Sequence, residues 1–392
     1  MFSLYFLITV ATLAIFTPAL PLQSPISQDL ERRKDVPPNM LPALLLIKEP
    51  SGSEITLTEA LRKFDAESKQ LQRELRHEET RIERIWKKAD AKPDSLNFQE
   101  LTKSGSSWFK LKKNLDDQQA NHPFRKLWNN PGQITQRLIQ LRLMMFGNWC
   151  IPSICGTDDL GRDLLSRIMW GSRVSLAVGV LATLVSLLIG VTYGATAGYL
   201  GGWVDAVMMR FVDILYSIPF IFVVIFLIGF LSEEQVKKKY LQPYGINQIT
   251  IFYVVIGAIF WLTMARVVRG QVISLKTEQF IEAARTMGAS VPRIIFRHLI
   301  PNVMGIVIVY LTLTIPSVML FEASLSFLGL GVKPPDVSWG LLLNEGVKVI
   351  NPIKIFWWLV VFPGATLTIT LLALNFLGDG LRDALDPRMK NR

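Results

Sequence analysis

The residues with the clearest chemical character lie at positions 282–302, a polar and basic segment between two long apolar ones. Its chemistry rests on small, charged and backbone-bending residues: Glu282, Ala283, Ala284, Gly288 and Pro301. The two alanines are small enough for close contact with another helix, and the glutamate offers a charge to a partner. The glycine lets the backbone turn after a short helix, and the proline is expected to stop the next helix before the second apolar segment. Such a segment suits a docking site for another protein. An ordinary amphipathic loop helix explains the same spacing, and the residues alone leave both interpretations open.

Two further clusters have the residue types of a binding site. Cys150 and Cys155 are the only cysteines, so either a disulfide joins them or they remain thiols. Two cysteines alone make a poor metal site. Asp158, Asp159 and Asp163 resemble a cation loop in composition, but the spacing and the terminal glutamate of a calcium loop are missing. We therefore interpret the aspartates as a polar lead-in to a membrane helix at the outer membrane–water boundary.

Catalytic and nucleotide-binding patterns are absent from the sequence. No Gly-x-x-x-x-Gly-Lys-Ser/Thr loop occurs, so the chain does not bind ATP by that route and must take energy from elsewhere. The three histidines, His77, His122 and His298, are scattered, which argues against a catalytic triad or a histidine metal site. We expect a chain that is not an enzyme and that uses no cofactor or metal.

The composition is that of a membrane protein. Half of the 392 residues are hydrophobic and the mean hydropathy is +0.32, which is too apolar for an ordinary soluble globule. A membrane-spanning helix needs roughly 20 apolar residues, and helices satisfy their own backbone groups in lipid. Six stretches qualify or nearly do: Phe2–Leu20, Val174–Leu200, Ile214–Leu231, Ile249–Met264, Val303–Leu320 and Phe356–Leu377. The predicted fold is an all-α membrane protein with about six transmembrane helices.

Glycines and ionisable residues within or beside these stretches have predicted roles. Gly190, Gly194 and Gly198 would permit close packing of the second stretch against a neighbour. Four ionisable residues lie toward the ends of the stretches, where we expect interfacial anchoring or mutual pairing rather than a proton or substrate pathway: Asp205, Arg210, Asp213 and Glu322. Arg210 and Asp213 have the spacing of a pair on one helix face.

The net charge of +10 raises the question of nucleic-acid binding, which the distribution of cations excludes. The basic residues cluster at the ends of apolar stretches and form no patch interleaved with aromatic residues. One group lies between the fourth and fifth stretches and another in the tail: Arg266, Arg269, Lys276, Arg285, Arg293 and Arg297, then Arg382, Arg388, Lys390 and Arg392. The positive-inside rule therefore places the 282–302 segment and the C-terminus in the cytoplasm.

Residues 1–20 and 21–160 form two predicted regions ahead of the membrane core. No Lys or Arg precedes Phe2–Leu20 and no small-x-small site lies near Pro21, so we favour an uncleaved first helix over a signal peptide. The 21–160 block is polar and, by parity of spans, extracytoplasmic. It contains an amphipathic helix that begins at a capping box of Thr56 and Glu59, as a single helix or as half of a short hairpin or coiled coil. Ser68 and Glu78 interrupt the apolar stripe of that helix. The stripe consists of Leu57, Leu61, Phe64, Leu71, Leu75, Ile82 and Ile85.

Five sequence runs in order carry a resemblance to a known family. The 282–302 segment resembles the "EAA" coupling loop of inner-membrane permeases of ATP-binding-cassette (ABC) importers. The other four runs resemble the C-type permease subunit of the dipeptide/oligopeptide/nickel group: residues 156–167 (GTDDLGRDLLSR), 201–205 (GGWVD), 322–331 (EASLSFLGLG) with Ser338-Trp339-Gly340, and 377–387 (LGDGLRDALDP). Together they cover the chain from about Gly156 to its end.

This resemblance implies a domain plan, a function and a set of partners. Residues 161–378 would form a type I ABC importer permease domain and 379–392 a cytoplasmic tail. The resemblance says little about the 21–160 block, which parity of spans places outside the cytoplasm as a large insertion, because it is longer than the corresponding loop of most such permeases. The chain would be the permease subunit of an ATP-driven importer of di- or oligopeptides in the bacterial inner (plasma) membrane. The alternatives are an importer of nickel or another small solute, a secondary transporter, and a membrane-anchored scaffold built around residues 21–160.

The implied partners are a second permease, two ABC ATPase subunits, an extracytoplasmic substrate-binding protein and membrane lipid, with no nucleic acid. The resemblance assigns the ATPase contact to four residues of the coupling loop: Glu282, Ala283, Ala284 and Gly288.

Overall fold

The structure is a computed structural model that describes residues 2–26, 28, 34, 37, 47–48, 57–91, 98–120, 132–146, 149–233, 236, 248–350 and 355–385. Predictions on Thr56, Arg388, Lys390 and Arg392 lie outside these residues. The chain divides into two compact units. The first, which we call the membrane unit, contains Met1–Ile15 and Arg167–Arg392, and the second, the polar unit, contains Phe16–Ser166.

The described elements are almost entirely helical. In chain order they are α1 (Phe2–Phe16), a 3-10 turn (Thr17–Ala19), β1 (Ile47–Lys48), α2 (Leu57–Ala91), α3 (Phe98–Ala120), α4 (Gln133–Phe146), β2 (Trp149–Cys150), α5 (Leu164–Leu200), α6 (Gly202–Ser217), α7 (Phe220–Ser232), α8 (Gln248–Leu275), α9 (Gln279–Thr286), α10 (Val291–Ile294), a π-helical turn (Ile295–Leu299), α11 (Ile300–Phe327), α12 (Trp339–Val349) and α13 (Trp358–Leu385).

All six predicted apolar stretches fold as helices, but they differ in their capacity to span a bilayer. In the described part of the chain, four helical segments are long and apolar enough: Leu164–Leu200, Tyr253–Leu275, Val291–Phe327 and Trp358–Ala384. The third predicted stretch is broken, because α6 and α7 meet at a bend of 83° and make a fifth span only when taken together. The break follows from Pro219, which has no N–H and holds Ile218 in an extended conformation. The first stretch, α1, is a shorter apolar helix.

The core of the membrane unit lies where α5, α8 and α11 meet. Val191 of α5, Val268 of α8 and Val303 of α11 belong to one buried apolar cluster. The glycines of α5 let α8 approach closely: a methyl group at Gly194 would overlap the carbonyl oxygen of Ala265. Equivalent clashes would occur at Gly190 and Gly198, so the predicted role of these three glycines is confirmed.

The polar unit contains a helical hairpin. α2 packs along α3, and the indole Nε1 of Trp108 donates a 3.2 Å hydrogen bond to Glu79 Oε1. The half-buried positions of α2 recur every three or four residues and are Phe64, Ser68, Leu71, Leu75, Glu78, Ile82 and Ile85. The predicted amphipathic helix is therefore confirmed, and the hairpin alternative is the one realised. Elsewhere in the unit β1 pairs antiparallel with β2, and α4 packs on the 3-10 turn.

Candidate functional site

The predicted docking segment contains one short helix with a well-defined end. α9 covers Gln279–Thr286, and Gly288 follows it with φ +77°, a left-handed conformation that favours glycine. The N–H of Gly288 bonds to the carbonyl of Arg285 at 2.9 Å, and the N–H of Ala289 bonds to the carbonyl of Ala284 at 3.0 Å. This pair of bonds is a Schellman cap, which satisfies the last carbonyls of the helix. The predicted turn at Gly288 is confirmed.

α9 has one face against the bundle and one in the open. Ile281 and Ala284 are buried in the apolar cluster of α5, α8 and α11, and Ala284 is only 2% exposed. Glu282, Ala283 and Gly288 are exposed. The four residues assigned to the partner contact therefore do not share one surface. Ala284 faces the bundle and anchors α9, because a helix turns by about 100° per residue and separates neighbours.

A polar contact adds to this anchorage. Arg285 Nε donates a 3.2 Å hydrogen bond to the hydroxyl of Tyr199, and its guanidinium lies 5.1 Å from the centroid of the same ring. Tyr199 is the penultimate residue of α5 and is itself buried in the apolar cluster. Lys276 Nζ lies 3.4 Å from the carbonyl oxygen of Gly198. The segment between α8 and α11 is thus held against the end of α5 as well as by its own flanking helices.

The helix that follows α9 runs without interruption into the membrane segment. α10, the π-helical turn and α11 form one helical stretch over Val291–Phe327. The expectation that Pro301 stops this helix is wrong, since Pro301 lies in the first turn of α11 directly after the π-helical turn. A proline costs no hydrogen bond where the regular pattern has already shifted, and the side-chain amide of Asn302 donates to the His298 carbonyl at 2.6 Å.

The exposed surface of the 282–302 segment contains apolar side chains, although the segment as a whole is polar and basic. Met287, directly before Gly288, is 81% exposed, and Val291 and Phe296 are also exposed. Sequence reasoning missed these three residues as part of the site. The available signal was their position within a predicted docking segment that is otherwise basic.

Two ion pairs join α6 to α8. Arg269 forms two hydrogen bonds with the carboxylate of Asp205, at 2.5 and 2.6 Å. Arg266 Nη2 lies 2.7 Å from Asp213 Oδ1, and its guanidinium also stacks 4.0 Å from the centroid of Tyr216. The prediction that Asp213 pairs with Arg210 on the same helix is wrong, because Asp213 pairs with Arg266 of α8 instead. Both pairs hold α6 beside the helix that leads into α9.

Glu322 has a role that the sequence analysis did not predict. It is fully buried on α11, where Ser326 donates to Oε1 at 2.7 Å and Ser175 of α5 donates to Oε2 at 3.3 Å. Ser175 Oγ also accepts the backbone N–H of Trp339, the first residue of α12, at 3.2 Å. The carboxyl group therefore joins α5, α11 and α12 by hydrogen bonds. The expectation of an interfacial anchor or an ion-paired residue is wrong for Glu322.

The aspartate-rich run before α5 forms a loop in which Asp158 and Asp163 bond to neighbouring residues of the same run. Asp158 accepts the backbone N–H groups of Leu160 and Arg162, each at 2.9 Å, and also pairs with the Arg162 guanidinium at 2.7 Å. Asp163 caps α5 by accepting the N–H of Ser166 at 2.8 Å. These contacts support the interpretation as a polar lead-in. Among the residues that the structure describes, no group of three or more metal-ligating side chains comes together.

Cys150 and Cys155 are present as thiols, so the disulfide that the sequence left open is not formed in this structure. Cys150 is buried. Burial raises the pKa of the Cys155 thiol to about 12, with a smaller contribution from the nearby charge of Asp163. Because the thiolate is the reactive form, Cys155 is a poor nucleophile near neutral pH.

Comparison with known proteins decides the family. Residues 187–391 match the family described as "Binding-protein-dependent transport system inner membrane component", which is more than half of the chain. The chain belongs to this family. It is a multi-pass membrane protein and a component of a transport system rather than an enzyme.

Individual members of the family are similar over most of their own length. The oligopeptide transport system permease protein OppC of Escherichia coli (strain K12) is 50% identical over 233 residues, 59% of this chain and 72% of that protein. The dipeptide transport system permease protein DppC of Bacillus subtilis (strain 168) is 44% identical over 235 residues, 60% of this chain and 68% of that protein. The glutathione transport system permease protein GsiD of Pectobacterium atrosepticum is 41% identical over 239 residues, 60% of this chain and 73% of that protein. A solved structure of the MetNI methionine ABC transporter in inward-facing conformations is 20% identical with a TM-score of 0.42, over 56% of this chain and 96% of the solved one.

Proposed function

We propose that this chain is a permease subunit of an ATP-driven ABC importer for di- or oligopeptides. The observation that carries the proposal is the identity of 40–50% to permeases named for dipeptide, oligopeptide and glutathione transport. All of these named solutes are peptides. The four apolar spans and the bent pair give the chain a helical bundle through which such a solute would pass.

Energy would enter through the exposed face of α9. Its open surface combines the charge of Glu282, the small side chain of Ala283 and the exposed thioether of Met287. Its other face is packed into the cluster of α5, α8 and α11. A push on the open face is therefore transmitted to three helices of the bundle, and ATP-driven closure of partner ATPases would rock the bundle between inward- and outward-facing states.

The partners follow from the kind of system. We infer that two ABC ATPase subunits contact the α9 surface, that a second permease completes the pathway, and that an extracytoplasmic binding protein delivers the solute. The α9 segment and the C-terminus would lie in the cytoplasm, and residues 21–160 outside it. The clusters of cations beside α9 and in the tail support this orientation.

Two alternatives have less support. Nickel import keeps the mechanism and changes the solute, but the relatives named above are permeases for peptides. A secondary transporter predicts an internal inverted repeat and charged residues at the membrane midplane. Among the described residues of the membrane unit, Glu322 is the fully buried carboxyl group, and it lies near the end of α11, where serine hydroxyls donate to both of its oxygens.

Reconstitution tests the proposal. The chain is incorporated into proteoliposomes with its second permease, ATPases and binding protein, and uptake of a labelled tripeptide and of nickel is measured with and without ATP. We expect ATP-dependent uptake of the peptide. Uptake of nickel without peptide would overturn the solute, and peptide uptake driven by a proton gradient without the ATPases would overturn the mechanism.

A further inference from the structure

α4 of the polar unit carries an apolar stripe on its open side. Ile134, Leu138, Leu141 and Met145 recur at intervals of four, three and four residues and so lie along one side of the helix. Ile134 is 78% exposed and Met145 is 59% exposed, with Leu141 also exposed and Leu138 half-buried. An apolar stripe of this kind in contact with water is costly, and such patches usually mark an interaction surface.

The unit's own packing uses a different side of the same helix. Thr135, Ile139 and Arg142 are buried, and α4 packs on the 3-10 turn Thr17–Ala19. The stripe is therefore a second apolar side beside the buried one. The buried side of α4 is used by packing within the polar unit, whereas the exposed apolar stripe still lacks a binding surface among the residues that the structure describes.

Charge and aromatic content favour a lipid surface as the cover. The sequence of α4 contains no Asp or Glu, and exposed Arg137 lies beside the stripe. Trp149, three residues after the helix, is 54% exposed. A cation next to an apolar stripe suits anionic headgroups above acyl chains, and tryptophan is enriched at membrane–water interfaces.

Chain continuity supports a position of α4 close to a membrane. The turn on which it packs begins at Thr17, the residue directly after the apolar helix α1 ends at Phe16. Phe16 itself belongs to the polar unit and is exposed. With α1 in the bilayer, as its apolar sequence predicts, the turn leaves the membrane directly after the helix, and α4, which packs on this turn, lies beside the membrane surface.

We propose that α4 lies in the plane of the membrane surface, with the stripe Ile134–Met145 in the acyl region and Arg137 at the phosphates. It would hold the polar unit to the bilayer next to the exit of α1. This inference is independent of which solute the chain transports.

Fluorescence quenching in liposomes tests the position of the stripe. Single cysteines replace Leu141 and Met145, with Gln140→Cys as the matched control on the neighbouring polar, exposed side. Each full-length variant is labelled with an NBD reagent near neutral pH and reconstituted into phosphatidylcholine–phosphatidylglycerol vesicles. The native thiols should take up little label, because Cys150 is buried and Cys155 is a poor nucleophile near neutral pH. The labelled unsubstituted chain measures this background fluorescence. Ile134→Cys supplies a further exposed position on the stripe if one variant loses the monomeric elution profile of the parent.

The two quenchers report opposite environments. We expect lipids brominated on the acyl chains to quench labels at 141 and 145 several-fold more than the label at 140, and aqueous iodide to show the reverse order. Equal access of iodide to all three labels would show that the stripe faces water and would overturn the proposal. Protection of labels 141 and 145 from both quenchers would show a protein cover, such as a second copy of the chain, and would overturn it equally.

Discussion

The guanidinium of Arg285 on α9 reaches the hydroxyl of Tyr199 at the end of α5, with a 3.2 Å hydrogen bond and the ring 5.1 Å away. These residues are 86 positions apart in the sequence. Together with buried Ile281 and Ala284, this contact ties the short helix to a membrane-spanning helix that is remote in sequence. We therefore expect that movement of α9 moves the end of α5.

Removing the Tyr199 ring should weaken coupling more than removing its hydroxyl. Tyr199→Phe keeps the ring under Arg285 and loses one hydrogen bond, a cost of about 1 kcal/mol. Tyr199→Ala also empties a buried site, where a loss of roughly 3–5 kcal/mol is usual for large aromatic side chains. We expect near-normal ATP-driven uptake for Tyr199→Phe and a large loss for Tyr199→Ala with ATP hydrolysis retained. Equal uptake by both variants would show that the contact does not transmit motion.

A β-branched residue at Gly288 should abolish transport and leave membrane insertion intact. The open space around this position excludes a clash, so the effect would come from the positive φ alone. A left-handed conformation costs an ordinary residue roughly 1–2 kcal/mol, and a β-branched one is disfavoured further. Gly270→Ala is the matched control, because Gly270 is also unobstructed but lies within helix α8.

Uptake and membrane content are measured for both variants. Normal uptake by Gly288→Val, or loss of Gly288→Val from the membrane fraction, would contradict the assignment of this turn to coupling. Gly288→Asn should recover part of the activity, since asparagine tolerates the left-handed region better than other residues.

Glu322 should tolerate an amide better than an apolar side chain. Glu322→Gln preserves the shape. Its amide oxygen can accept one serine hydroxyl, and its NH2 group can donate to the hydroxyl oxygen of the other serine, so Ser326 and Ser175 both keep a partner. Glu322→Leu leaves those buried hydroxyls without their acceptor, which costs about 1–3 kcal/mol for each unsatisfied group. We expect the melting temperature in detergent to fall clearly more for Glu322→Leu than for Glu322→Gln. The opposite order would show that the charge, rather than the hydrogen bonds, stabilises the junction of α5, α11 and α12.

A cysteine at Ser106 should react with a membrane-impermeant maleimide in intact spheroplasts, because the 21–160 block is proposed to be extracytoplasmic. Ser106 is the suitable position, since Ser104 nearby is buried and Ser106 is exposed. The native thiols should contribute little near pH 7, because Cys150 is buried and the pKa of Cys155 is raised to about 12. Labelling only after permeabilisation would reverse the orientation.

Local chemistry made some of these features predictable from sequence. The short helix, the turn at Gly288 and the close approach at Gly194 each follow from residues within a few positions, and the structure has all three. The burial of Ala284 was not predictable, because the side of α9 that turns inward is decided by α5, α8 and α11. The environment of Glu322 likewise depends on Ser175, 147 residues away. The bend between α6 and α7 was signalled by Pro219, but its 83° angle depends on packing.

Partner ATPases are proposed to act on the exposed face of α9, and paired cysteine cross-linking can detect that contact. Ala283→Cys and Ala284→Cys are neighbours of equal size on opposite faces, exposed and 2% exposed respectively. Each variant is assembled with an ATPase that carries single cysteines around its permease-facing surface and is treated with a short bifunctional maleimide. We predict cross-links from Ala283→Cys whose yield changes when ATP is added, and none from Ala284→Cys. Cross-links from Ala284→Cys alone, or from neither position in an assembly that hydrolyses ATP, would show that the exposed face of α9 is not the ATPase contact.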